Sequence, residues 1–218
     1  KRSIQIHDLL KHTSGLTYGL FAGHPVAGEY LRQKTDFNPQ DGPLSEVCAR
    51  LAGIPLAHDP GEQWTYSVSL DVLGRVIEVV SGQPLDQYFR ENILEPLEMH
   101  DTFFEVPPEK KDRLTALYMK TDDEKLKLVE TGEESLWADP AKPVTCFSGG
   151  GGLVGSMADY CKFVEMLRGQ GQGANGAQIL GARTVQLMAS NHLPGDIAAM
   201  GVESFAEVSF HGVGFGLG

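Results

Sequence analysis

The stretch from Pro60 to Gly82, PGEQWTYSVSLDVLGRVIEVVSG, constrains this fold more than any other part of the chain. It opens on a Pro60-Gly61 turn signal and passes through Trp64 and Tyr66. From there Leu70, Val72, Leu73, Val76, Ile77 and Val80 recur at helical spacing. Gly82 offers a left-handed C-cap, and Ser67 or Ser69 offers an acceptor for the first N–H groups. A helix is therefore predicted to begin just past Tyr66. Its unpaired N–H groups and positive dipole end favour negative charge, so a tyrosine at that turn is placed to relay protons. The same two aromatic residues can equally be core pieces that pin the helix entry.

Around this helix there is enough chain for a sizeable core: 218 residues, 41% of them hydrophobic. Lys and Arg number 18 against 29 Asp and Glu, a formal net charge of −11, which repels nucleic-acid backbones. The densest basic run, Lys110 to Lys127, is interleaved with acidic residues and reads as a solvated face. Nucleic acid is excluded as a partner. Three cysteines without C-x-x-C spacing suggest neither a disulfide framework nor a zinc site, and read as small buried hydrophobes. Seven histidines form no metal-binding pattern, so neither a metal nor another cofactor is expected. No apolar run approaches the ~20 residues of a membrane span, and the start, KRSIQIHDLL, lacks the apolar region of a signal peptide. A cytoplasmic location is the expectation; the oligomeric state is left open.

Taken in order, SIQIHDLLKH enters a short helix near His7 or Asp8, ended by Thr13-Ser14-Gly15. An aromatic loop carrying Tyr18 follows, of the kind that lines binding sites. Helical spacing returns around Glu29 to Lys34 and Leu44 to Ala52, separated by Pro39 to Pro43. Pro84 opens another helix with a Leu85, Tyr88, Phe89, Ile93 stripe, ended at Pro96. Residues 103 to 127 suggest a hairpin turning at Asp122-Asp123. Gly149 to Gly152 leads to a helix capped by Ser156 and Asp159, with Tyr160, Phe163, Val164 and Leu167 as its buried stripe, ended by Gly169. GARTVQLMASNHL is a short helix, and VSFHGVGFGLG alternates like a strand.

Tested for chemistry, the chain yields little by spacing alone. Gly150, Gly152 and Gly155 form G-x-G-x-x-G, but PVTCFS is a poor preceding strand and the acidic residue needed about twenty positions on is missing. A glycine loop that lets backbone pass close beneath a cleft is the better reading. There is no G-x-S-x-G elbow, no P-loop and no Ser-x-x-Lys.

Four blocks carry a family likeness: LLKHTSGL at 9 to 16, PGEQWTYSVSLDVLGRVIEVVSGQPLDQYF at 60 to 89, EPLEMHDTFF at 95 to 104 and GGGGLVGSMADYCKFVEML at 149 to 167. Together they resemble the serine β-lactamase and penicillin-binding-protein superfamily, in its class C-like branch with the family VIII carboxylesterases. The likeness implies an α+β, β-lactamase/transpeptidase-like fold. Residues 1 to 142 would be a mainly helical region carrying the Tyr-Ser-Val motif. Residues 143 to 218 would supply the glycine loop, further helices and the start of the return to the sheet region. In that family the serine of Ser-x-x-Lys attacks an ester or lactam carbonyl, lysine takes its proton and the tyrosine of Tyr-x-Asn assists proton transfer; Tyr66 is the residue that carries over. Val68 stands where β-lactamases have asparagine, which favours simpler, apolar esters over lactams. Tyr18, Val68 and the Gly150 and Gly151 backbone are the expected substrate contacts. The Ser-x-x-Lys and the Lys-Thr-Gly-like strand lie outside the 218 residues, so the chain reads as the central part of a serine hydrolase. The resemblance implies a carboxylesterase acting on a small-molecule ester through an acyl-enzyme. A β-lactamase or D-Ala-D-Ala carboxypeptidase acting on a lactam or peptide, and an inactive member serving as a binding or scaffolding protein, are the alternatives.

Overall fold

A computed structural model describes residues 2–21, 25–121, 125–139, 141–205 and 208–218. The expected helices form: α1 Ile6–Leu10, α2 Ala27–Gln33, α3 Leu44–Leu51, α4 Ser69–Ser81, α5 Leu85–Phe89, α6 Met157–Arg168 and α7 Ala182–Ala189. Helix α4 is the hub, packed against α1, α3 and α5. Its C-cap is Gly82, left-handed at φ 74°. The N-terminal expectation fails, because the N-cap is Val68 and no side chain caps the helix. Ser67 and Ser69 are fully buried and spend their hydroxyls elsewhere.

The faces differ from the apolar spacing in an informative way. On α4, Val79 and Val80 are exposed, whereas Ser69, Asp71 and Gly74 are its most buried positions. On α6, Tyr160 and Val164 are exposed, and Asp159 and Met166 point inward in their place. Asp159 is held there by bonds from the Asp101 N–H (2.6 Å) and the Thr102 hydroxyl (3.2 Å). Ser156 does cap α6, accepting from the Asp159 N–H at 3.2 Å. Helix α5 runs on through one π-helical turn, Arg90–Leu94, before Pro96.

The strands are short and antiparallel. β1 Thr102–Phe103 pairs with β4 Val154–Gly155, a contact no periodicity predicted. β2 Leu117–Lys120 pairs with β3 Leu126–Glu130 as the anticipated hairpin; the Asp122-Asp123 turn lies outside the described residues. β5 Ser204–Phe205 pairs with β6 Val208–Ser209, so the strand expected over the last eleven residues is only two residues long.

Among the described residues, three hydrophobic clusters hold the chain. The largest lies around Leu9, Tyr30, Val47, Val68, Leu85 and Phe104. Leu94, Leu97, Met99 and Met166 form a second. Trp64, Leu193, Ile197 and Met200, with Phe210 and Phe215, form the third. Of the cysteines, Cys146 is buried, Cys48 intermediate and Cys161 exposed, and all three are free thiols. Cys161 is thus not the buried hydrophobe expected. Among the described residues, no helix is long and apolar enough to cross a membrane.

Candidate active site

The segment that delivers Tyr66 is stitched down on both sides. The Trp64 N–H donates to the Met200 carbonyl (3.1 Å), Thr65 N–H to the His12 carbonyl (2.8 Å) and Val68 N–H to the Thr17 carbonyl (3.4 Å). Between these anchors Tyr66 projects outward, 44% exposed. Its ring centroid lies 5.0 Å from His12, 5.5 Å from Tyr18 and 6.5 Å from Trp64. Beside it opens a cavity of about 360 Å³ walled by Trp64, Tyr66, Ile197, Phe210, Val213, Gly214 and Phe215, none of them charged. The buried indole N–H of Trp64 has no hydrogen-bond partner among the described residues.

Beneath Tyr66 runs a buried hydroxyl chain whose direction can be worked out. The Ser67 N–H donates to His12 Nδ1 at 3.3 Å, so that nitrogen carries no proton. Ser67 Oγ, 3.2 Å from the same nitrogen, must then donate to it. Ser69 Oγ, 2.8 Å away, donates to Ser67, and Ser14 Oγ, 2.7 Å further, donates to Ser69. The chain ends where Ser14 accepts from the Leu16 N–H at 3.1 Å. Burial pulls the His12 imidazole down to about 4, which keeps it neutral, as this arrangement requires.

On the inner face of α4, Asp71 is 1% exposed. Its Oδ1 accepts from Ser148 Oγ and from the Gly150 N–H (3.1 Å), and Ser148 Oγ in turn accepts from the Gly151 N–H (3.0 Å). Burial pushes the Asp71 carboxyl up to about 6 despite these donors. Burial first, then the charges of Asp71, Tyr66 and Asp36, push the Tyr18 phenol well above its ordinary value, so it stays protonated.

The structure therefore brings Tyr18 and Tyr66 together and sets the glycine loop against the helix behind them. Gly150 and Gly151 spend their N–H groups on Asp71 and Ser148, so these are not free to receive a ligand. Val68 is fully buried in the main core, so its expected substrate contact is not one this geometry offers. Sequence reasoning missed Asp71 and His12 as parts of the site. One signal was available for Asp71: Asp71, Gly74 and Glu78 recur at i, i+3 and i+7, a small and polar stripe on a helix read only for its apolar one. Among the described residues, no group of three His, Cys, Asp or Glu is arranged to hold a metal ion.

Comparison with known proteins identifies the family. The family described as Beta-lactamase matches residues 1–217. Protein Rv1367c of Mycobacterium tuberculosis is 34% identical over 193 residues, covering 88% of this chain and 45% of its own length. Esterase EstB of Burkholderia gladioli is 34% identical over 174 residues, 76% of this chain and 44% of that protein. The solved structure of EstCE1, a hydrolase with promiscuous acyltransferase activity, superposes with a TM-score of 0.71 at 31% identity, over 98% of this chain and 55% of that one. The chain spans about half the length of the curated relatives it matches. With an α+β fold of the β-lactamase/transpeptidase type and a match over nearly its whole length, the chain belongs to the Beta-lactamase family.

Proposed function

We propose that the full-length protein is a carboxylesterase that works through an acyl-serine, the nucleophile lying outside these 218 residues and Tyr66 relaying its proton. The serine oxygen attacks the ester carbonyl carbon, and the carbon–oxygen bond to the alcohol breaks. The alcohol leaves with the proton passed through the Tyr66 phenol, and water then cleaves the acyl-serine to give the acid.

The observation that carries this reading is the placement of Tyr66, half open to solvent at the edge of a cavity walled by uncharged side chains. Lactam antibiotics and D-Ala-terminated peptides bring a carboxylate, and this wall would desolvate it without a partner. Neutral esters carry no such penalty. The similarity to EstCE1 adds a second reading of the same intermediate, in which an alcohol in place of water accepts the acyl group.

The test compares p-nitrophenyl butyrate with nitrocefin as substrates of the full-length protein. Butyrate turnover should dominate, and Tyr66→Phe should lower kcat by ~10²-fold or more at an unchanged melting temperature. Unchanged turnover in Tyr66→Phe removes the assignment, and failure to form a covalent fluorophosphonate adduct favours an inactive binding protein.

A further inference from the structure

We infer that Asp71 is a positioning residue: its buried carboxylate clamps the Gly149 to Gly152 loop onto helix α4, and so sets where that backbone stands relative to Tyr18 and Tyr66. The inference rests on the esterase reading for its kinetic consequences, though not for its structural ones.

Three observations converge on the clamp. Asp71 accepts from two loop donors, the Ser148 hydroxyl and the Gly150 N–H, and the Gly151 N–H is tied in through Ser148. The loop is built to come that close: a Cβ at Gly150 would stand 2.7 Å from Asp71 Oδ2, and one at Gly149 2.5 Å from the Leu70 carbonyl oxygen. The same carboxylate bears electrostatically on the Tyr18 phenol, whose ring is 5.5 Å from that of Tyr66.

Nothing offsets the charge of Asp71 as an ion pair would. Among the described residues the groups around it are Tyr18 in the loop after α1, Asp36 after α2, Cys48 on α3 and Cys146 ahead of the glycine loop, none of them a cation. On its own helix, Arg75 is engaged by Glu78 at 3.0 Å. A carboxyl raised from 3.8 to about 6 is a net cost to folding when ionised at neutral pH. A carboxylate kept under such a cost marks a candidate site, where stability can be traded for geometry.

The experiment uses the full-length protein with Asp71→Asn and Ser148→Ala. Asparagine keeps the shape and one acceptor but removes the charge, so at pH 7.5 it should behave as the wild type does once Asp71 is protonated. The kcat/KM for p-nitrophenyl butyrate should fall roughly tenfold, short of the ~10²-fold that an ångström of misplacement can cost. Its acid limb near pH 6 should disappear, while the melting temperature at pH 7.5 stays level or rises. Ser148→Ala removes a donor that favours the charged form, so its acid limb should move to higher pH. Independently of turnover, the Gly150 and Gly151 amide resonances of 15N-glycine-labelled protein should titrate with a midpoint near pH 6 in wild type and stay fixed in Asp71→Asn.

Glycine amides that do not titrate, or an Asp71→Asn protein with the wild-type acid limb, would overturn the inference. So would a lowered melting temperature in Asp71→Asn with an unmoved acid limb, since that marks a purely structural role. Should the wild type turn over no ester, the proposed function falls and the amide titration alone decides the role of Asp71.

Discussion

Neighbouring residues in this chain do opposite jobs, and Tyr66 and Ser67 show it most sharply. The Tyr66 side chain is 44% exposed, so its hydroxyl contributes little to folding and its loss should register in turnover. Ser67, one position on, is fully buried and sits in mid-chain, accepting from Ser69 and donating to His12. Ser67→Ala takes the acceptor from the Ser69 hydroxyl and removes a donor from His12 Nδ1, both of them buried. Leaving buried polar groups unpaired costs about 1–3 kcal/mol, which urea denaturation of the full-length protein should show as a lower midpoint at an unchanged slope. A loss below ~0.5 kcal/mol would mean that the hydroxyl chain contributes nothing as a unit. The directionality of that chain makes the contrast sharper, because alanine at position 67 cuts it between the Ser69 donor and the His12 acceptor, and any reversal of the Ser69 and Ser14 hydroxyls only moves the unpaired proton along the chain.

At the scale of elements, the site is the seam between α4 and the glycine loop, and the seam is held by close backbone approach as much as by Asp71. A methyl group at Gly149 would meet the Leu70 carbonyl oxygen at 2.5 Å and the Gly74 Cα at 3.4 Å, whereas one at Gly151 would meet nothing within 4 Å. Gly149→Ala should therefore destabilise by roughly 1–3 kcal/mol, as overpacking does, and Gly151→Ala by less than ~0.5 kcal/mol. Equal effects on the two melting temperatures would show that the seam is not where the strain falls. The same seam explains which elements the sequence disclosed. Helix ends were legible because their signals are local: Gly82 in a left-handed C-cap, Ser156 bonded to the Asp159 amide. The pairing of Thr102–Phe103 with Val154–Gly155 was not, since two residues on each side leave no periodicity to read. Helix faces were misread where buried polar networks turned them: α4 buries Ser69, Asp71 and Gly74, and α6 buries Asp159, while apolar Val80 and Tyr160 face outward. Of the candidate site, Tyr66 was proposed from the helix start and the family resemblance, and Tyr18 from its place in an aromatic loop. Asp71 was marked only by the small and polar stripe of its helix face, and His12 was hidden because a lone imidazole signals nothing until its long-range partners are known.

For the molecule as a whole, two buried groups pull stability in opposite directions as the pH falls. The His12 imidazole is depressed from 6.5 to about 4 by burial, so its contribution is intact above 6.5 and is lost as acid protonates the unfolded chain first. The Asp71 carboxyl is raised from 3.8 to about 6, also chiefly by burial; its folded form takes up a proton first, and stability is gained as the pH falls through 6. Between pH 7 and pH 5 the two nearly offset each other in the wild type. Asp71→Asn removes the gain and leaves the loss exposed. Its unfolding free energy should therefore drop by on the order of 1 kcal/mol more over that interval than the wild type's does. Urea melts of both proteins at pH 7 and pH 5 measure the two slopes directly. Every other ionisable group, including His7 and the residues of the full-length protein beyond these 218, is common to both and cancels in the difference. Parallel slopes would mean that Asp71 does not change protonation across this range, which would remove the physical basis for its clamp responding to acid. A steeper slope in the variant, together with a vanished acid limb in turnover, would tie the stability of the fold and the geometry of the site to one and the same carboxyl.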